Sequence, residues 1–228
     1  MKRLLVHVEG ESEEVFAKML LCPHLVAHGV QASARLLGHR SERARRGGVI
    51  SWTRARGDLL RHLKQDDRLY VSTFVDYYGM PQSGSSAWPG RRQAASAPFP
   101  GRAELVEKAL RRDVVAAMGP SFVASRFVPF VMMHEFEALL FSDCDAFAKA
   151  IDHPALASRF RAIRDQFSSP EEINDSQTTA PSKRLAALLP GYSKIRRAEL
   201  AAPAVGLDAM RSECPHFKRW LESLEQLP

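Results

Sequence analysis

Carboxylates crowd the start of this 228-residue chain. Glu9, Glu11, Glu13 and Glu14 follow directly on the apolar run Leu4–Val8 of "RLLVHVEGESEE". Asp76 closes the run "RLYVSTFVD", and Glu135 and Glu137 follow "RFVPFVMM". On a surface helix such acids serve solubility. Gathered at one place they would repel one another unless a cation joined them. Mg2+ (or Mn2+) prefers oxygen ligands and keeps several waters, so one or two carboxylates per ion plus a substrate phosphate suffice. Two such ions can hold the attacking water and the leaving oxygen of a phosphodiester, while a glutamate takes or gives the proton. His134, beside the last pair of acids, is either a general base or ligand, or a hydrogen-bonded structural histidine. The sequence has neither a nucleophile elbow nor a Gly-rich phosphate loop, which leaves acyl transfer and nucleotide hydrolysis unsupported.

The elements that must position these acids alternate. Residues 3–8, 30–39, 68–78 and 126–133 read as strands. Helices are expected from Ser12, taken as the cap, toward Gly29 with Pro23 shortening or kinking it; over 52–67; and over 102–119. From 145 onward the pattern is mostly helical. Strands alternating with helices predict a three-layer α/β fold with a mostly parallel sheet, whose ligands bind at the carboxyl ends of the strands. Glu9, Asp76 and the pair Glu135 and Glu137 all fall at such ends. If the chain stays extended after residue 133, Glu135 and Glu137 share one side; if a helix starts at Phe136, only one of them faces the site, with Glu137 preferred. The expected division is an α/β core over 1–144, with an insertion at about 79–101, and a mainly helical extension over 145–228 packed on it.

The net charge of +6 is patchy, with basic stretches at 39–48, 53–64 and 193–197. A basic surface beside acidic clusters suits a polyanionic substrate held against metal ions. Lys183 and Arg184 of "APSKRL" and Tyr192 and Lys194 of "GYSK" are candidates for holding phosphate, although Ser182 after Pro181 also reads as an ordinary helix start. The segment 79–101, rich in Gly, Pro, Ser and Ala, is long for a connection and is expected to be a mobile loop or lid. It would carry Arg91 and Arg92 toward phosphates and an exposed Trp88 toward a base. Cysteines 22, 144 and 214 are too scattered for a disulfide framework. The repeated "CPH" at 22–24 and 214–216 could supply Cys2His2 to zinc, but without the spacing of a known finger. There is no apolar run of 18 residues and no secretory signal, so a cytoplasmic protein with no membrane association is expected.

The segments "VEGESEEVF", "FVDYYGMP", "HEFEALLFSD", "APSKRL", "GYSK" and "CPHFKRWL" resemble, in order, the pattern of domain-of-unknown-function family 4276, which is related to the TOPRIM fold of topoisomerases, primases and OLD-type nucleases. The resemblance spans residue 4 to about 222. It implies a four-stranded, largely parallel TOPRIM-like sheet with a divalent-metal site. Glu9 matches the first TOPRIM motif, and Glu13 matches the second glutamate of the OLD-type branch. The usual Asp-x-Asp is here Asp76-Tyr77-Tyr78, so the second aspartate is missing and Glu135 or Glu137 is the natural substitute. The resemblance further implies a nuclease acting on DNA or RNA, an effector of prokaryotic anti-phage defence, and a separate ATPase partner. Two rivals stand beside it. One is a catalytically weak binding or regulatory subunit docking through its acidic edge; the other is a primase-like nucleotidyltransferase.

Overall fold

The structure is a computed structural model and describes residues 1–38, 50–173, 176, 178–189 and 194–228, the side chains of 194–198 excepted. The basic stretch 39–48 and Tyr192 therefore lie outside the described residues, as does the side chain of Lys194.

Strands β1 (Lys2–Val8), β2 (Val30–Leu36) and β3 (Leu69–Asp76) form a parallel sheet in the order β2-β1-β3, continued on the far side of β3 by β4 (Phe127–Val128) and β5 (Val131–Met132). Every pairing is parallel. A parallel sheet covered on both faces needs apolar side chains on both, and β3 accordingly buries every residue from Val71 to Asp76. Residues of even number along β1 and β3, among them Leu4, Val6, Val8 and Phe74, join one core; Val71 and Val75 join the other. The first core is completed by α1 (Glu11–Phe16), α2 (Cys22–Ala27), α6 (Cys144–Ala150), α7 (Ala157–Arg164), α8 (Pro181–Leu188), α9 (Lys194–Glu213) and α10 (Pro215–Glu225). The second is completed by α3 (Trp52–Gln65) and α5 (Gly101–Met118). The C-terminal helices thus share one core with β1 and α1: Trp220 stacks on Phe130 at 4.4 Å, and Phe16 meets Phe74, Phe136 and Phe217. No helix among the described residues is long and apolar enough to cross a membrane.

Two local departures from the sequence reading have clear causes. The first helix begins at Glu11 with Gly10 as its cap, so Ser12 lies inside the first turn and is buried. Pro23 does not end that helix. The turn before it, Ala17–Leu21, widens so that the Cys22 N–H reaches the Ala17 carbonyl five residues back, and the helix resumes with Pro23 in its first turn, where a missing N–H is harmless.

The single expected strand at 126–133 is two short ones, because Pro129 has no N–H to give the ladder. The register nevertheless survives: Ser72 faces Val128 and Val75 faces Val131. Thr73 bridges the break. Its hydroxyl donates to the Phe130 carbonyl (3.0 Å) and accepts from the Phe130 N–H (2.9 Å). This keeps β5, and the acids that follow it, in line with β3.

Segment 79–101 is not a lid. Trp88 is buried, its indole N–H donates to the Ile50 carbonyl (2.9 Å), and its ring lies 5.1 Å from Trp52. Arg91 opens the short α4 (Arg91–Ala94) and is only 4% exposed. Its guanidinium lies 3.6 Å over the Tyr77 ring and donates to the Tyr77 carbonyl and hydroxyl, a desolvated cation–π contact that takes the place of the expected phosphate contact. Arg92 is exposed.

Two predictions follow from this packing. Thr73→Val keeps the shape but leaves both Phe130 backbone groups without their bridge. It should destabilise the protein by about 2 kcal/mol, read as a lower denaturant midpoint at unchanged slope. His7, buried in β1, shares a hydrogen bond of 3.1 Å with His62, and its other ring nitrogen has no hydrogen-bond partner among the described residues. Burial, and then the His62 charge, push its pKa from 6.5 down to about 3. The neutral form is the one the fold favours. Its contribution is therefore full above pH 6.5 and is lost as pH falls from 6.5 toward 3. Between pH 6.5 and 5, above the range of ordinary carboxylates, wild type should lose stability more steeply than His7→Leu, by up to about 1.4 kcal/mol per pH unit. Equal slopes in chemical denaturation across that window would contradict this.

Candidate functional site

Because the sheet is parallel, Val8, Leu36, Asp76 and Met132 all end at one edge. The chain past β1 and β3 is tied there by its own acids. Glu9 donates its N–H to the Phe74 carbonyl (3.3 Å), and its carboxylate Oε2 accepts the Asp76 N–H (3.0 Å). Asp76 Oδ1 in turn accepts the Phe136 N–H (3.0 Å). Tyr77 and Tyr78 continue the ladder to the Met132 and His134 carbonyls. These backbone hydrogen bonds to carboxylates link the ends of β1, β3 and β5 and bring Glu9 and Asp76 beside the 135–137 segment.

Two glycines make room for the acids. A Cβ at Gly79 would stand 2.6 Å from Glu9 Oε1, and one at Gly10 would run into Glu13 Oε2. Glu13 is buried in the first turn of α1, where the helix dipole favours a carboxylate. The sequence signal was present but not used: each of these glycines follows or nearly follows a site acid, in "EGESE" and "DYYG".

After β5 a 3-10 turn starts at Phe136 and runs to Ser142, so the two acids separate. Glu135 turns to α8. Its carboxylate accepts the Ser182 N–H (2.9 Å) and hydroxyl (3.0 Å), capping that helix just behind Pro181. Glu137, 2% exposed, lies in the first turn of the 3-10 segment. Glu171, which the sequence reading passed over, repeats the capping device at α10. Fully buried, it accepts the His216 and Phe217 N–H groups (both 2.9 Å) just behind Pro215. Burial raises its pKa despite the opposing pull of His216 and of those two hydrogen bonds.

His134 uses both ring nitrogens. Nδ1 donates to the Ile173 carbonyl (3.0 Å), which leaves Nε2 to accept from Arg102 (3.4 Å). The geometry is that of a hydrogen-bonded structural histidine. Arg102, in the first turn of α5, also donates to the Ala95 and Ala97 carbonyls and is half-buried, so it is a helix-start cation in contact with His134. Lys183 is exposed, whereas Arg184 is held by the Thr179 carbonyl (2.7 Å) and lies 5.5 Å over the Phe167 ring.

The two "CPH" tripeptides do not make a Cys2His2 site. His24 pairs with Glu225, and His216 pairs with Glu107 while stacking on Phe130. Although burial lowers the pKa of His216, the hydrogen bond and charge of Glu107 outweigh it and raise it. Cys214 contacts Ser142, and burial pushes its thiol far up; Cys22 is pushed up to about 11 and Cys144 to about 12 by the same cause. These are inert apolar thiols.

Comparison with curated proteins finds no match. Among solved structures, the C-terminal region of the OLD protein of Xanthomonas campestris pv. campestris aligns over 99% of this chain and 95% of that one, with 16% identity and a TM-score of 0.41. Residues 8–225 match the family model described as Domain of unknown function (DUF4276), and the chain belongs to that family.

Proposed function

We propose that this protein is a divalent-metal-dependent nuclease that hydrolyses phosphodiesters of DNA or RNA. The observation that carries the reading is the linkage of Glu9, Asp76 and the 135–137 segment at the carboxyl edge of three adjacent parallel strands. Such an edge is where ligands of parallel sheets bind. The donor set fits Mg2+ or Mn2+: it is all carboxylate oxygen, and the missing side chains of Gly10 and Gly79 let Glu13 and Glu9 lie close against the backbone there. Glu9, Asp76 and Glu137 would hold the ion, with Glu13 flanking. When bound, the ion neutralises the phosphate and activates water.

The chain's own groups do the rest. Glu9 and Asp76 each have one oxygen anchored on a backbone N–H, which fixes the direction of the other. Arg102, which contacts His134, and the exposed Arg92 and Lys183 would hold phosphate in this reading, while Arg91 stiffens the loop from behind Tyr77. His134 positions the end of β5. The finer reading, an effector of prokaryotic anti-phage defence working with a separate ATPase, rests on the resemblance to OLD-type proteins.

A second reading has an observation of its own. Tyr78 stands where a second aspartate would add charge, and Glu135 is spent on capping α8. Both favour a docking subunit with weak or no catalysis. Metal titration separates the two, since a docking edge need not bind Mg2+ or Mn2+.

Asp76→Asn keeps an oxygen for the Phe136 N–H and removes the charge. It should fold normally and lower Mn2+-dependent cleavage of labelled DNA or RNA by about 100-fold or more, since groups that merely orient a metal ligand are worth about 10–100-fold. Undiminished cleavage would refute the role. Gly79→Ala should push Glu9 aside, loosen its hold on the Asp76 N–H, weaken Mg2+ binding by about 10-fold and lower the melting temperature modestly. Calorimetric titration of both proteins checks it.

A further inference from the structure

At the opposite edge of the sheet lies a second set of ligating groups. Helix α2 ends just before Gly29, whose carbonyl accepts the Lys2 N–H at the amino end of β1. His24 and His28, one helical turn apart, therefore share a face there, and Glu225, the last residue of α10, reaches them. The three ligand atoms lie within 4.8 Å of one another. His24 Nε2 is 2.6 Å from Glu225 Oε1, and His28 Nε2 is 4.0 Å from the same oxygen.

We propose that His24, His28 and Glu225 bind a divalent transition-metal ion of the Zn2+ type, which clamps the first helical segment to the last. Two imidazoles and one carboxylate suit Zn2+, Ni2+ or Cu2+ and not Mg2+. Bonds of about 2.0–2.2 Å hold tetrahedral ligand atoms about 3.4 Å apart, a spacing that the 2.6 and 4.0 Å contacts bracket. The tautomer of His28 is already set: Nδ1 donates to the His24 carbonyl (3.1 Å), which leaves the Nε2 lone pair toward Glu225. His28 is exposed, so its ring can close the remaining distance. Arg211 also donates to Glu225 Oε1 and lies 3.4 Å from His24 Nε2, so its guanidinium must withdraw from that oxygen and nitrogen as the ion enters between them. Water would fill the fourth position.

The site shares no residue with the acidic edge, and its test separates the two. Tag-free, metal-stripped full-length protein is titrated with Zn2+ by calorimetry in the presence of saturating Mg2+, with thermal melting read alongside. Wild type and Asp76→Asn should each take up stoichiometric Zn2+ and melt higher with it. His28→Ala, whose melting without metal should equal that of wild type because the side chain is exposed, should bind at least about 10-fold more weakly and show no rise. Glu225→Gln, which also loses charge from its pairs with His24 and Arg211 and so melts lower even without metal, should likewise bind Zn2+ at least about 10-fold more weakly and show no rise with it. The proposal is overturned if wild type takes up no Zn2+, if His28→Ala binds as wild type does, or if Asp76→Asn and not His28→Ala abolishes uptake.

Discussion

The candidate site depends on a pair of hydrogen bonds in which carboxylates receive backbone amides of the neighbouring strand end: Asp76 N–H to Glu9, and Phe136 N–H to Asp76. A charged acceptor makes such a bond stronger than its neutral counterpart. Here it also replaces the ladder where the strands run out. The acids are therefore part of the sheet's own termination, and their positions follow from its register. That register rests on Thr73, which carries the pairing of β3 across Pro129 so that residues 131–137 arrive beside Asp76.

Buried acids in this protein serve two purposes that composition does not distinguish. Glu135 and Glu171 each face the start of a helix that opens on proline, accepting the amides that follow it. These helices carry no cap of their own, and a carboxylate from elsewhere supplies one with the sign the helix dipole favours. Counting every buried acid at the edge as a metal ligand would overstate the charge there. With Glu135 bonded to α8, Glu9 and Asp76 are the acids whose carboxylates tie the strand ends together.

The proline- and glycine-rich segment after Asp76 forms a wall of the second core. Trp88 sits between the Ile50 carbonyl and Trp52, and Arg91 locks onto Tyr77, the residue next to Asp76. A site built beside such packed elements is held in one geometry. Arg102 brings the segment's end back to His134 and so joins the wall to the end of β5.

By itself the sequence determined the alternation of strands and helices, the parallel sheet, and the placement of Glu9 and Asp76 at strand ends. These are local properties: apolar and β-branched runs mark strands, and an acid that follows one is at its carboxyl end wherever the strand goes. Only the tertiary structure showed that Glu135 caps a helix, because Ser182, whose hydroxyl it accepts, lies 47 residues further on. The burial of Trp88 and Arg91 was likewise decided by contacts outside their own segment, with Ile50 and with the face of Tyr77. A Gly- and Pro-rich composition signals irregular backbone, and says nothing of the aromatic surface that the rest of the chain presents to it. The meeting of His24 and His28 with Glu225 across about 200 residues belongs to the same class. Spacing along the chain reveals the helical pair, and only the packing of the first helices against the last supplies the carboxylate.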